Sequence, residues 1–536
     1  VQPRADAVAS KADDTLISIV MPVYNTRPEF LVEALDSIRA QTYENWELCV
    51  TNDASTLGEI REILDKYALK DKRISVHHSQ QQGGIAVATN LALDRCRGKY
   101  VAFVDHDDCL TADALADVAG VISQHVNAGL IYSDSDLLDE SGLFCNPYFK
   151  PEWNYLLFLG QNYLNHISVY RRDIIVSLGG LRTGLDGSQD YDLALRVIEQ
   201  LSPEDIFHIP RVLYHWRRYP GSVARSNIQQ AVKRARKSIT DHLARIGLNA
   251  VVQAATGKVI LNKIRPVLGD KNPGVLVVIW GPSNANLTDS VSETVRNVGL
   301  LENLNVNCIN LTSQDSKVSD NDYSLMRGCS PARLRNMATR DSNEDYIIFL
   351  HSCCEPIAQD WIQSLLSLLQ FPGFTIIGAR ITTPEGQPSF FSANIECNGE
   401  NRRLVLLKSF GDPDRPDYFG RSFLDQQVTA CGGGVLAIKR TMFVALSGFD
   451  EKFTTELGAD IDLCLRAQEG KGFSAVCADA VFRRHNEDGC SGVRWPKIND
   501  EEQKRILEMK LLDGFVDPQS NPNLDMSSGF PELTVI

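Results

Sequence analysis

One frame occurs twice in this chain, and that constrains the fold more than any other feature. Tyr100–Leu110 reads YVAFVDHDDCL and Tyr346–Pro356 reads YIIFLHSCCEP, two runs of equal length with the same aromatic–aliphatic opening. Their surroundings repeat as well. LISIVMPVYN (Leu16–Asn25) is answered by GVLVVIWGPSN (Gly274–Asn284), and WELCVTNDAS (Trp46–Ser55) by NVNCINLTSQDS (Asn305–Ser316). HISVYRRDIIVSLGGL (His166–Leu181) is matched by GVLAIKRTMFVALSGF (Gly434–Phe449), and QDYDLALR (Gln189–Arg196) by ADIDLCLR (Ala459–Arg466). Asp190 precedes His215 by 25 positions, as Asp460 precedes His485. The pattern is that of a tandem duplication of one domain of about 230 residues.

Within each copy short apolar strands alternate with helical segments, which predicts a mostly parallel, doubly wound α/β sheet. In the first copy the strands end on Asn25, Asp53 and Asp105–Asp108. The carboxyl ends of parallel strands are where such sheets bind ligands. The expected division is a loose tail at 1–15, a first domain at 16–225, a helical linker at 226–271, a second domain at 272–500 and a C-terminal tail at 501–536. A boundary is expected near Lys271-Asn272-Pro273, and the basic residues of the linker read as a solvated helix face.

At 536 residues the chain is too long for one core, since single cores seldom exceed about 250–300 residues. A formal net charge of −14 argues against broad electrostatic attachment to nucleic acid. The longest apolar runs fall far short of the roughly 20 residues that span a bilayer, and no signal peptide is visible. The chain starts at Val1 rather than Met, which reads as a processed or truncated terminus. Thirteen cysteines without scaffold spacing predict buried thiols in a reducing compartment.

Several residues could carry chemistry. Asp105-His106-Asp107-Asp108 at a strand's end could bind a hard cation through oxygen, or form only an acidic turn. Asp53 could accept from the N3–H of a pyrimidine, or close a turn. Gly83 and Gly84 open a helix whose first N–H groups suit an anion. Asp190 stands near the start of a helix, where an aspartate also serves as a cap. His215 could be a metal ligand, though a loop histidine is the plainer reading.

Taken in order, SIVMPVYN, TNDAS, the Asp-x-Asp of FVDHDD, YSDSD, FKPEWN, QNYLNHISVYRR, QDYDLALR and YHWRRYPGS resemble glycosyltransferase family 2 over roughly residues 16–225. These are inverting sugar-nucleotide transferases of the GT-A fold, and the tandem arrangement is similar to bacterial enzymes that build O-antigen, capsule and other surface glycans. The resemblance implies two tandem GT-A domains, Rossmann-like and mostly parallel, joined by a helical linker. It implies a UDP- or dTDP-sugar donor and a Mn²⁺ or Mg²⁺ cofactor. Pro22, Tyr24, Asn25, Asp53, Gly84, Asp105 and Asp107 would face the donor, Asp107 and His215 the metal. Asp190 would be the catalytic base, although the family's usual Glu-Asp pair is Gln189-Asp190 here. Trp153 and Gln189 would lie on the acceptor side. The acceptor would be a glycan, a lipid-linked glycan or a protein, and the chain a cytoplasmic one, with at most peripheral contact at the inner face of the membrane. An oligomer is compatible with the resemblance, and nucleic acid is not an expected partner.

The chemistry follows from those roles. Asp190 would take a proton from an acceptor hydroxyl as it attacks the anomeric carbon, and a single displacement predicts inversion. In the second copy His351, Cys353 and Cys354 stand for Asp105, Asp107 and Asp108, and neutral thiols are poor ligands for Mg²⁺ or Mn²⁺. That copy reads as a degenerate domain that packs or binds acceptor. The alternatives are a metal-independent transferase using Asp460 and a zinc site on His351, Cys353 and Cys354. Three rivals for the whole chain are a bifunctional transferase, a non-catalytic glycan-binding scaffold and a sugar nucleotidyltransferase. PVYNTRPEF lacks the glycines that the last would need after its first strand.

Overall fold

Two sheets repeat one strand order. The computed structural model describes residues 15–219, 228–255, 258–269, 272–281, 291–295, 304–311, 329–386, 388–390, 392–398, 401–407, 418–485, 498–509, 516–525 and 532–533. Most of the expected N-terminal tail, the end of YHWRRYPGS and parts of the second copy's GPSN and TSQDS segments lie outside these residues. The first sheet contains β1 (Ile17–Val23), β2 (Trp46–Asn52), β3 (Ile74–His78), β4 (Tyr100–Phe103), β5 (Cys109–Leu110), β6 (Leu130–Leu138), β7 (Phe144–Tyr148), β8 (Ser168–Arg171) and β9 (Ile206–Arg217). Its order is β3-β2-β1-β4-β8-β6-β9-β5, with β7 beside β6. The second contains β10 (Gly274–Trp280), β11 (Asn305–Asn310), β12 (Tyr346–His351), β13 (Cys354–Pro356), β14 (Phe374–Thr382), β15 (Val435–Lys439) and β16 (Phe473–Arg484). Its order, β11-β10-β12-β15-β14-β16-β13, reproduces β2-β1-β4-β8-β6-β9-β5 strand for strand.

Each sheet is mixed α/β. β1 to β4 run parallel, as do β6 and β9, and β8 lies antiparallel between β4 and β6. β1 and β2 are buried almost throughout because helices cover both faces, so they carry continuous apolar runs instead of alternation. The connecting helices α1 (Pro28–Arg39), α2 (Gly58–Lys70) and α3 (Ile85–Leu93) place the carboxyl ends of β1, β2, β3 and β4 at one edge.

The duplication extends to single hydrogen bonds. Asn90 donates to the Leu181 carbonyl and accepts from the Leu181 amide, both at 2.8 Å. Asn336 makes the same pair with Phe449 at 2.9 Å. Gly180 and Gly448, at φ 71° and 69°, let each asparagine in, because a Cβ there would meet its amide oxygen at 2.5 and 2.6 Å. Arg196 and Arg466 repeat a second motif, each bonding an aspartate four residues earlier and two loop carbonyls.

Two expected boundaries change. The linker is helical only over α4 (Ile228–Arg245); after Gly247 an antiparallel hairpin, Ala250–Ala255 with Lys258–Pro266, reaches the second domain. AVVQAA and KVILNKI are rich in β-branched residues, which favour a strand over continued helix. The C-terminal segment opens on the helical piece that EEQKRILEMKLL predicts, and its polar end is ordered where a tail was expected. Helix Asp500–Leu507 packs on helix Glu456–Glu469, where Glu502 accepts from the Thr454 and Thr455 amides. Beyond it Asp517, Gln519 and Asn521 are each buried.

The two halves share one apolar cluster. Leu156–Leu159 of the short helix Tyr155–Gly160 join Leu261 of the hairpin and Leu424 of the second domain in it. A Cβ on Gly160 would meet Leu424 at 2.8 Å, so the approach needs glycine. Beside it Asn154 accepts from the Gln427 amide at 3.0 Å and donates to the Gln427 carbonyl at 2.9 Å. No described helix is long and apolar enough to cross a membrane.

If Asn90 and Asn336 hold equivalent positions, Asn90→Ala and Asn336→Ala each destabilise the protein by about 1–3 kcal/mol, because each leaves a loop amide and carbonyl unpaired. The denaturant midpoint of the full chain measures this.

Candidate active site

The carboxyl edge of the first sheet gathers most of the acidic residues singled out in the sequence. β4 ends at Phe103, and the turn that follows carries Asp105, His106, Asp107 and Asp108 into β5. β5 pairs antiparallel with β9, setting Cys109 opposite His215. Asp108 is buried, accepting from the Tyr214 hydroxyl at 2.6 Å and the Arg217 amide at 2.7 Å. Arg217 also donates to the Asp107 carbonyl at 2.7 Å. Asp108 therefore anchors the turn while Asp105 and Asp107 are presented by it. Burial and the neighbouring Asp107 carboxylate push the Asp105 carboxyl above its ordinary range, and burial together with Asp105 and Asp107 does the same to Asp108.

Asp53, at the end of β2, is buried, and its two oxygens accept from the Gly83 and Gly84 amides at 2.8 and 2.9 Å. This corrects one expectation. The α3 N-terminal amides that suited a substrate anion are taken by the protein's own carboxylate. At the end of β1 the Pro22 carbonyl pairs with His106 Nδ1 at 3.0 Å, and Tyr24 is exposed. Asn25, at φ 44°, accepts from the Thr56 amide at 2.8 Å. Its side-chain oxygen thus holds the adjoining turn.

Asp190 lies in the first turn of helix Gln189–Ile198, half-buried. One of its oxygens accepts from the amides of Asn162, at 3.0 Å, and Asn165. Burial raises the Asp190 carboxyl above its ordinary range, and the neighbouring His166 opposes this. His166 stacks on Tyr214, ring centroids 4.8 Å apart, with Nε2 3.9 Å from Asp105. One loop, residues 162–166, therefore connects Asp190 with the Asp105 turn. Burial lowers the His166 imidazole below its ordinary range, so it is neutral near pH 7. Asn162, Asn165 and His166 sit inside the quoted motif QNYLNHISVYRR, but nothing in their spacing singles them out.

The remaining candidates are less central. Gln189 folds back to accept from the Gly187 amide at 2.6 Å. Trp153 is half-buried against Phe158, ring centroids 5.4 Å apart, and so packs on the core. His215 Nδ1 bonds Asp136 at 2.6 Å and its ring stacks on Phe144 at 4.1 Å. A carboxylate on one nitrogen fixes the ring's orientation, the arrangement that also braces histidines which ligate metals. Among the described residues no three His, Cys, Asp or Glu side chains form a closed metal cage. One or two protein ligands completed by phosphate oxygens suit Mg²⁺ or Mn²⁺, and a crowded Asp105–Asp107 pair is a place where positive charge is favourable.

At the equivalent edge of the second sheet the candidate base is paired within the protein. Asp460 is buried, accepting from the Gly433 amide at 2.9 Å and from Arg335 at 2.5 Å. Arg335 immediately precedes Asn336 as Thr89 precedes Asn90, so it stands in the place of Thr89. Its guanidinium lies over Phe449, 3.8 Å from the ring centroid, and 4.7 Å from that of Trp280. His351, Cys353 and Cys354 are buried, and burial pushes the Cys354 thiol up to about 12. Among the described residues they form no metal-binding group, and a thiol held protonated by burial is a poor zinc ligand.

The "Glycosyl transferase family 2" description matches residues 18–179. Over 533 residues the chain is 33% identical to an uncharacterized protein, y4gI, of Sinorhizobium fredii, covering 95% of this chain and 57% of that one. It is 29% identical over 547 residues to the O-antigen biosynthesis protein RfbC of Myxococcus xanthus, covering 98% of this chain and 42% of that one. The chain thus spans about half the length of these relatives. A crystal structure of S. aureus TarS 1-349 in complex with UDP-GlcNAc is 20% identical, over 42% of this chain and 66% of that one, with a TM-score of 0.36.

A histidine whose folded pKa is lowered stabilises the fold above its unfolded value near 6.5, and that contribution is lost as pH falls through the folded value. Urea midpoints should drop between pH 7 and pH 5. In His166→Phe, which keeps a ring against Tyr214, the drop is smaller.

Proposed function

We propose, for a chain whose residues 18–179 belong to glycosyltransferase family 2, an inverting transfer of a sugar from a UDP- or dTDP-linked donor to a hydroxyl of a glycan or glycoconjugate, carried out by the first domain in bacterial surface-glycan synthesis. The observation that carries this reading is the placement of Asp190. Two amides hold one of its oxygens, and the adjoining His166 ties its loop to the Asp105–Asp107 turn. A carboxylate so held is an oriented proton acceptor, and its raised pKa makes it a stronger base than a free aspartate.

In this reading the donor lies along the carboxyl ends of β1, β2 and β4. Asp53 contributes lone pairs beyond the two amides it accepts, and Asp105 and Asp107 face the sugar-diphosphate. Asp107 and His215 would hold Mn²⁺ or Mg²⁺, which when bound offsets charge on a departing nucleoside diphosphate. Asp190 takes the acceptor's proton as its oxygen bonds the anomeric carbon, and the bond to the diphosphate oxygen breaks in the same displacement. The similarity to an O-antigen biosynthesis protein supports a surface glycan as product. The second domain serves packing or acceptor binding. The Arg335–Asp460 pair speaks against a bifunctional enzyme, since its candidate base is already neutralised.

The test is a donor screen with UDP-, dTDP- and GDP-sugars and Mn²⁺ or Mg²⁺, reading nucleotide release and inversion. Absence of UDP and dTDP binding under every condition overturns the reading. Asp190→Asn is expected to slow transfer about 10²- to 10⁴-fold while donor still binds, and Asp107→Ala to abolish transfer. The acid limb of kcat should lie above pH 3.8, because the base must be deprotonated and its pKa is raised.

Asp460→Asn in the second domain leaves turnover within about twofold. It destabilises the fold by about 3–5 kcal/mol, because Arg335 is left charged and buried without its partner. Loss of transfer in a folded Asp460→Asn chain would restore the bifunctional reading.

A further inference from the structure

The C-terminal segment 516–525 enters the interior of the first domain. Asn521 donates through one amide group to both oxygens of Asp134, each at 3.1 Å, and to the Lys150 carbonyl at 2.7 Å. Asn523 donates to Asp134 at 3.3 Å and to the Pro210 carbonyl at 2.8 Å. Asp134, with no exposed surface, also accepts from the Lys150 amide and pairs with His208, both at 2.8 Å. Asp134 lies on β6 in YSDSD and Lys150 in FKPEWN, and the catalytic reading gives neither of these two residues a role.

The Lys150 side chain connects this cluster to the active-site loop. It is fully buried, and its ammonium donates to the carbonyls of His166, at 2.9 Å, and Leu164, at 3.4 Å. Those residues belong to the same loop that supplies Asn162 and Asn165 to Asp190. Burial lowers the Lys150 ammonium to about 7, with the Asp134 carboxylate opposing this. Keeping so desolvated a charge over loop carbonyls therefore depends on Asp134, and Asp134 has two of its three amide partners in the C-terminal segment. The same segment grips the second domain, where Asp517 accepts from Thr429 at 2.6 Å and the Ile395 amide at 3.1 Å.

We propose that residues 516–525 complete the first domain's active site, with Asn521, Asp134 and Lys150 acting as positioning residues that fix the 162–166 loop around Asp190. The inference rests on the transferase reading for its kinetic consequence, but not for its structural one. Asp190 does the chemistry, and the segment sets the orientation in which it does so. The second half of the chain thereby reports its folded state to the first.

The test uses the full chain with Asn521→Ala and Lys150→Met, and the donor that the wild-type chain turns over. Asn521→Ala is expected to lower kcat about ten- to a hundredfold, with the donor KM within about twofold, since the donor-facing carboxylates are untouched. The His166 ring resonances, assigned with His166→Gln, should shift in Asn521→Ala and in Lys150→Met whether or not transfer is measured. Asn523→Ala, which removes a longer bond to Asp134, should produce the same changes at smaller size. It keeps the test decisive should Asn521→Ala fail to fold. Unchanged His166 resonances and unchanged kcat in a folded variant overturn the proposal. So does a kcat loss that only follows the fraction of folded protein. A wild-type chain that transfers no sugar defeats the transferase reading instead, and leaves the resonance test standing.

Discussion

The structure is organised around carboxylates gathered at one edge of a parallel sheet. Putting Asp53, Asp105, Asp107, Asp108 and Asp190 there costs free energy through desolvation and mutual repulsion. The surrounding architecture offsets this one group at a time. The amides that start α3 hold Asp53, a strand amide and a tyrosine hold Asp108, and two asparagines hold Asp190. Asp105 and Asp107 are less tightly held, Asp105 lying 3.9 Å from His166 Nε2, and a crowded acidic pair of this kind favours a nearby positive charge.

The second copy keeps the scaffold with a different edge. Its sheet has the same order and its Asn336 and Arg466 make the same bonds as Asn90 and Arg196. Yet a cation from helix Pro331–Thr339 fills the edge, and the acidic turn has become buried thiols. The scaffold and the chemistry are separable, because strand pairing and the asparagine motif do not depend on what the edge carries.

The sequence made the duplication, the apolar strands and the acidic ends legible, because those depend on local pattern and matched spacing. It predicted Asp190 near a helix start and Asp105 and Asp107 in a turn, as found. It was silent on Asn162, Asn165 and His166, which acquire meaning only when a loop folds back on a helix some 25 residues later. The antiparallel β8 was hidden because an apolar run does not state its direction. Residues 516–525 were misread as tail because polar residues signal solvent, whereas here each finds a buried partner. Arg335 was visible as a letter, but its effect depends on reaching Asp460 across 125 positions.

The place of Asn521 also has a consequence in time. A ribosome adds about 5–20 residues each second. The first domain's strands are all made by residue 217, and Asn521 follows about 300 residues later. For tens of seconds the nascent first domain carries Asp134 and Lys150 without the amide that completes them. Its interior closes only after residues 516–525 have been made, so maturation of the first half waits on synthesis of the second.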